Sequence, residues 1–230
     1  MKNVSNGSHS YGRFDRSSSY GGEMSLSAFN GLIGVILLYG FGLNAVLVKY
    51  CSQYFVNINP WVLVIGYFAL GITGIIISKN SDNPFISFIG YNLVVIPVGV
   101  VLSICLQETA GGIVLNTCIV TAIVTAIMMI ASMIFPRAFL SMGKVLFIAL
   151  VSVIVVELLM LIFGIAEPAW LDAFVALLFC AYIGYDWAKA QESNHTADEA
   201  VDACVGLYLD IINLFIRILS LSSRRSSSRD

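Results

Sequence analysis

The sequence predicts an all-α integral membrane protein built as a seven-helix bundle. Of its 230 residues, 58% are hydrophobic and only 11% are charged, whereas charged residues make up roughly 25% of a soluble domain. Seven apolar runs are long enough to cross about 30 Å of hydrocarbon, and they must do so as helices because lipid cannot hydrogen-bond to open backbone groups. The runs cover residues 28–50, 58–78, 85–106, 113–135, 144–164, 169–188 and 202–220.

Prolines mark the starts of three of these helices. Pro60, Pro84 and Pro168 each fall in a predicted first helical turn, where the missing N–H of proline has no intrahelical partner to lose. Pro97 lies inside the third run beside Gly99, so this helix is predicted to be kinked or locally unwound.

Both ends of the chain are polar. Residues 1–27 and 221–230 are rich in Ser, Gly or Arg, and they hold too few apolar groups to offset the entropy of ordering. They are predicted to be disordered tails around one transmembrane domain, residues 28–220. The polar start does not resemble a cleavable signal peptide, so the first run is predicted to be a retained signal anchor.

Charge and cysteine patterns exclude several function classes. The net charge is −2 and the body of the chain has no basic block, which disfavours nucleic-acid binding. The cysteines lack the spacing of zinc or redox motifs and are interpreted as buried thiols. No cofactor and no firm metal site are predicted. The five cysteines are Cys51, Cys105, Cys118, Cys180 and Cys204.

The lysine and arginine distribution predicts a cytoplasmic N-terminus. Of the basic residues near the first six runs, only Lys49 then falls outside. A full crossing by the seventh run exports the basic tail at Arg224, Arg225 and Arg229, so this helix is predicted either to span or to be re-entrant. The absence of an ER-retrieval tail and a signal peptide favours a bacterial plasma membrane over an ER membrane. The cytoplasmic basic residues are Lys2, Arg13, Arg16, Lys79, Arg137, Lys144 and Lys189.

A polar stripe runs along the seventh predicted helix. Its members are spaced 4, 4, 3 and 4 positions apart, which at about 100° per residue places them in one narrow arc. Ionised side chains near mid-membrane cost at least about 2.5–3.5 kcal/mol, so such a stripe indicates function. The alternative is an amphipathic helix lying at the membrane interface. The stripe consists of Asp202, Gly206, Asp210, Asn213 and Arg217.

Two further acidic residues lie in the preceding helices. Asp186 is one turn from Tyr182 near the end of the sixth run, and it is either a functional carboxyl or an interfacial one reaching water. Glu157 stands alone within the fifth run, and it is either protonated or paired with a basic group such as Arg217. The acidic loop before the seventh run is interpreted as a solvated face. Its residues are Glu192, Asp198 and Glu199.

Two motifs on the last two helices resemble the closing signature of the Bax inhibitor-1 family of membrane proteins. The first is Gly184-Tyr185-Asp186, and the second is the segment 207–215, which reads LYLDIINLF. The second motif is the more specific of the two. Their aspartates are 24 positions apart, and a looser resemblance extends over residues 25–220.

The resemblance implies a central seventh helix wrapped by six others and a pH-sensitive calcium leak. It also implies that Asp186 and Asp210 share a proton that sets the open or closed state, and we expect the two to titrate as a coupled pair near neutral pH. Similar bacterial members carry an arginine on the second helix that pairs with an aspartate, whereas residues 58–78 contain no basic residue. Lys79, Lys49 or Arg217 substitutes for it, or the protein lacks this latch.

Three functions are compatible with a membrane protein that carries these aspartates. A calcium leak fits the carboxylate chemistry, since Ca²⁺ prefers oxygen ligands. A non-conducting protein that binds membrane partners and modulates proteolysis or stress and cell-death responses is the alternative. An intramembrane aspartyl protease is remote, because that class is expected to carry Gly-x-Gly-Asp and Pro-Ala-Leu motifs, which are absent here. We therefore expect no enzymatic activity. The expected partner is the lipid bilayer, with other membrane proteins as candidate partners and Ca²⁺ as the candidate permeant ion.

Overall fold

The computed structural model describes residues 22–55, 58–107 and 109–227. Within these ranges the chain forms eight helices and no strand, and seven of the helices are long and apolar enough to cross a membrane. The prediction of an all-α membrane bundle is confirmed. The helices are α1 (Leu26–Phe55), α2 (Pro60–Asn80), α3 (Pro84–Cys105), α4 (Gly111–Ile134), α5 (Pro136–Ser141), α6 (Gly143–Phe163), α7 (Ala169–Gln191) and α8 (Ala197–Ser227).

The helix starts follow the proline pattern closely. Asn59 and Asn83 cap α2 and α3 with their side-chain oxygens, and each is followed by a proline at the first helical position. Pro168 is the N-cap residue of α7 rather than part of its first turn. Helix α3 continues through Pro97, so the alternative of local unwinding is wrong, while the kink stays a prediction. The six-residue helix α5 was not predicted, although Pro136 begins it in the same way.

Helix α8 is the central element of the bundle. It contacts α1, α2, α3, α4 and α7, whereas the spanning helices α2 and α6 are mostly exposed, as expected of helices whose outer faces contact lipid. Its 31 residues form one unbroken helix of about 46 Å. A re-entrant segment needs a turn within the membrane, and α8 has none, so the spanning alternative is the one that the structure favours.

The two ends of the bundle are defined by α8. A hydrogen bond of 3.0 Å from the Met24 N–H to the His195 carbonyl joins the start of α1 to the loop before α8. We call this the near end of the bundle, where α7 also finishes, and we call the opposite one the far end. Because α8 runs from one to the other, its polar stripe connects the near end with the far end.

The aromatic core lies between α1, α3 and α8. Tyr208 stacks on Phe41 and meets Tyr91 edge-on, and its hydroxyl accepts a hydrogen bond from the Asn44 amide. The Tyr91 hydroxyl donates to the Ile36 carbonyl at 3.1 Å. These contacts explain the tyrosine of the LYLDIINLF motif as a packing residue on the face of α8 toward α1 and α3.

Two further predictions need correction. Helix α8 continues to Ser227, so residues 221–227 are helical rather than disordered; residues 1–21 and 228–230 of the predicted tails lie outside the described residues. Among the cysteines only Cys204 is buried, while Cys105 and Cys118 are exposed. In a membrane bundle an apolar thiol is as stable against lipid as in the core, because lipid is also apolar, so apolar surroundings in the sequence do not imply burial.

Candidate ion pathway along helix α8

The near end of the bundle opens into a vestibule of about 440 Å³. It lies between the ends of α2 and α7 and the first turns of α8, and it combines acidic side chains with two lysines. Asp186 and Gly206 form part of its wall, so the vestibule reaches the polar stripe of α8. The residues that line it are Lys79, Asp186, Lys189, Ala190, Glu192, Ser193, Glu199, Asp202, Ala203 and Gly206.

Asp186 and Asp210 lie at the interface between α7 and α8. The Asp186 carboxylate packs directly against the Cα atom of Gly206, where a Cβ would clash with it. Asp210, one turn further along α8, is only 6% exposed. The two carboxyls interact electrostatically, and the Tyr182 hydroxyl is close enough to interact with both. The structure thus brings together three of the residues that the sequence singled out.

Asp210 has one feature that the sequence does not show. Its Oδ2 atom is buried and has no hydrogen-bond partner among the described residues. A buried polar atom without a partner is unfavourable by about 1–3 kcal/mol, and more when it is charged. A water molecule, a cation or a proton shared with a neighbouring carboxylate oxygen would satisfy it.

The first two turns of α8 carry two carboxylates that are bound by serines, the buried Asp198 and the half-buried Asp202. The Ser87 hydroxyl donates to Asp198 at 2.6 Å, and the Ser78 hydroxyl donates to Asp202. Both serines are fully buried. The interpretation of Asp198 as part of a solvated loop is therefore wrong. Its spacing of four from Asp202 extends the polar stripe by one turn, which is the signal that sequence reasoning missed.

Arg217 closes the polar stripe toward the far end with an ion-pair network. Its guanidinium donates to Glu167 Oε2 and to Asp172 Oδ1, each at 3.0 Å, and to Glu157. The suggested pairing of Glu157 with Arg217 is confirmed. Asp172 is only 1% exposed, and the network joins α6, α7 and α8 at one point.

Two more residues of α8 complete this network. The Ser220 hydroxyl donates to Asp172 Oδ2 at 2.8 Å, and the Arg224 guanidinium contacts the same oxygen at 3.2 Å. Arg224 also donates to the Glu167 carbonyl at 2.7 Å. The sequence analysis placed Arg224 only in the basic tail and assigned no role to Ser220, although both continue the spacing of the stripe after Arg217.

The three candidates for the missing second-helix arginine lie in different places. Lys79 lines the vestibule and interacts electrostatically with Asp186 and Asp202. Arg217 is held in the far-end network, and the Lys49 ammonium lies 5.2 Å from the ring centroid of Tyr50. Lys79 is therefore the candidate that is placed beside the aspartate pair, together with Lys189 of α7.

The remaining predicted residues have simpler surroundings. The Asn213 amide donates to the Leu209 carbonyl within α8 at 2.8 Å, so in this state its nitrogen is used locally. Gly184 lies directly beneath the Phe139 ring, where a Cβ would clash with it, which explains the glycine of the Gly184-Tyr185-Asp186 motif. No group of three or more His, Cys, Asp or Glu side chains in the described ranges is arranged to hold a metal ion.

Comparisons with known proteins agree with the two motifs. A family model described as "Inhibitor of apoptosis-promoting Bax1" matches residues 22–227. An uncharacterized protein of Helicobacter pylori is 31% identical over 166 residues, which cover 70% of each chain. Protein LIFEGUARD 3 of Arabidopsis thaliana is 33% identical over 118 residues, 49% of this chain and 47% of its own. Bax inhibitor 1 of Schizosaccharomyces pombe is 27% identical over 174 residues, 74% of this chain and 64% of its own. No solved structure gives a significant match.

Proposed function

This chain belongs to the Bax inhibitor-1 family, and we propose that it is a pH-sensitive cation leak in which Ca²⁺ passes along the polar stripe of α8. The single observation that carries the proposal is the position of Asp210. Its carboxyl is buried in the central helix of a membrane bundle, and one of its oxygens has no partner in the part of the chain that the structure describes. Asp186, which interacts with it, lines a vestibule that opens at the near end.

The chemistry of the stripe suits weak cation binding. Ca²⁺ takes oxygen ligands, mostly carboxylates and carbonyls, and a conducting route must bind the ion loosely enough to release it. The near half of α8 offers Asp198, Asp202 and Asp210, with Asp186 opposite, and no arginine lies among them. The two vestibule lysines, Lys79 and Lys189, moderate this negative charge and so keep the binding of a divalent cation weak.

Proton sharing between Asp186 and Asp210 is the proposed source of pH sensitivity. Two carboxyls close enough to interact exchange protons as one coupled unit. One shared proton relieves their repulsion and stabilises the contact between α7 and α8. Its loss leaves two like charges in that interface, which should loosen the contact and change ion passage.

Calcium flux into proteoliposomes of the purified protein at pH 6, 7 and 8 tests this proposal. We expect a pH-dependent flux in the native protein. Asp186→Asn and Asp210→Asn should each flatten the pH profile, because Asn keeps the shape but does not titrate. The double variant should add little to either, since one coupled unit is already broken. Asp82→Asn, in the exposed loop between α2 and α3, is the matched control and should keep the native profile.

The flux measurements also separate a second candidate function. The names Bax inhibitor 1 and LIFEGUARD of the relatives fit a non-conducting protein that binds membrane partners and modulates stress or cell-death responses. In that case the aspartates only hold the bundle together. Pure liposomes would then show no flux at any pH, and the Asn variants would change stability alone.

We also propose a cytoplasmic N-terminus in a bacterial plasma membrane. The lysine and arginine bias supports this orientation, and seven crossings place the two termini on opposite sides. Reporter fusions after Lys79, Arg137 and Lys189 should all report a cytoplasmic position. An external signal from any of them would reverse the orientation or break the order of the helices.

A further inference from the structure

The buried residues of helix α4 all carry hydroxyl groups, namely Thr117, Thr121, Thr125 and Ser132. Its large apolar residues are half-buried or exposed. The first three, which we call the threonine column, are spaced four positions apart. They lie above one another over about 12 Å of the helix.

The hydroxyls of the threonine column have no hydrogen-bond partner among the described residues. Buried hydroxyls on a helix usually bond to a carbonyl of the preceding turn. The exposed Thr73 of α2 does this, since its hydroxyl donates to the Ala69 carbonyl at 2.7 Å, and Ser132 donates to the Met129 carbonyl at 2.9 Å. The column therefore has three polar atoms left for a ligand from outside the protein.

The surroundings of the column point to where that ligand lies. Helix α4 contacts mainly α7 and α8, and it contacts the short α5 less. Its buried face therefore packs against the pair that carries Asp186 and Asp210. Four buried polar atoms on this pair also have no partner in the described ranges, namely Trp187 Nε1, Glu199 Oε2, Asp210 Oδ2 and Arg217 Nε. The opposite side of α8, against α1 and α3, is filled by aromatic rings.

We propose that the threonine column binds the water through which a cation moves between the middle of the bundle and the far end, so that the route runs between α4 and the α7–α8 pair. Three hydroxyl oxygens in a row can each hold a water molecule, and water in contact with a cation lowers the cost of crossing an apolar interior. Thr117 lies about 9 Å along α4 from its far-end start, and Thr125 lies near its middle. This inference rests on the proposed leak function for its cation, but the presence of water does not.

Thiol labelling tests the water alone. Two proteins with a single cysteine are compared, each with its other cysteines replaced by alanine. One carries Thr121→Cys, and the other keeps the native Cys118, which lies three positions away and is exposed. A charged methanethiosulfonate reagent needs water and a thiolate. We expect Cys at position 121 to react at least about tenfold faster than Cys118 in membranes. Equal, slow reaction at both positions would show that the column is dry and overturn the proposal.

Calcium flux tests the route. Thr121→Val removes the hydroxyl and keeps the shape, so it should lower the flux by about fivefold without lowering thermal stability. Thr121→Ser should keep the native flux, and Thr73→Val is the control on an exposed hydroxyl with its own partner. Native flux in Thr121→Val, or a loss of flux that follows a loss of stability, would contradict the route while the leak itself stands. Absence of flux in the native protein would instead defeat the proposed function and leave the labelling result to decide on the water.

Discussion

The two ends of α8 carry the polar stripe on the same helix face, but the carboxylates at the two ends have different partners. At the near end the carboxylates of Asp198 and Asp202 are bound by serine hydroxyls, and the nearby lysines form no ion pair within 4.0 Å in the described residues. At the far end Arg217 and Arg224 contact three carboxylates directly. Neutral donors leave an acid free to change protonation, whereas an arginine fixes it in the charged form. The carboxyls of the near end are therefore the ones that the proposed pH response needs, and the far-end carboxylates hold α6, α7 and α8 together.

The largest expected effect comes from breaking the far-end network. Arg217→Gln leaves three carboxylates close together, one of them fully buried, and removal of one partner from a buried ion pair costs about 3–5 kcal/mol. Thermal unfolding in detergent should show this loss, and calcium flux should rise because α6, α7 and α8 are no longer held together. Arg224→Gln is the matched control: Arg224 is 44% exposed, and an exposed pair contributes about 0–1 kcal/mol.

If Arg217→Gln and Arg224→Gln were equally stable, the far end would have no buried ion-pair network to distinguish it from the near end. This result would mean that Arg217 reaches the lipid headgroups or water and holds no network in the membrane. An unchanged flux in Arg217→Gln together with the loss of stability would keep the network as a structural joint and separate it from ion passage.

The sequence could predict the helices and the polar stripe because both depend on local patterns. The limits of the seven spans follow from apolar length and from prolines with an asparagine before them, and the arc from Asp202 to Arg217 follows from helical periodicity. Apart from Glu157, which the sequence suggested for Arg217, the partners of the stripe could not be predicted, because Ser78, Ser87 and Asp172 come from other helices at separations of 124, 111 and 45 positions. No periodicity within one helix fixes which face of its neighbour it meets.

A second prediction concerns the close contact at Gly206. Gly206→Ala adds a methyl group where the Asp186 carboxylate lies, so the carboxylate must move away from α8 and from Asp210. Such overpacking costs about 1–3 kcal/mol, and it should flatten the pH profile of calcium flux without changing any titratable group. Gly42→Ala, which meets nothing within 4 Å, is the control. A native pH profile in Gly206→Ala would show that the response does not depend on the distance between the two aspartates.

The smallest expected effect is at the serine that binds Asp202. Ser78→Ala removes the hydroxyl donor from a carboxylate that also lines the vestibule, so water can replace the lost bond and the cost should be about 1 kcal/mol. Ser87→Ala should cost more, because Asp198 is buried and has no vestibule water to replace the hydroxyl. Thermal unfolding of the two variants at one pH measures this difference. A larger loss for Ser78→Ala would mean that the vestibule is closed to water in the folded protein, and the pH response would then have to reach Asp186 by another path.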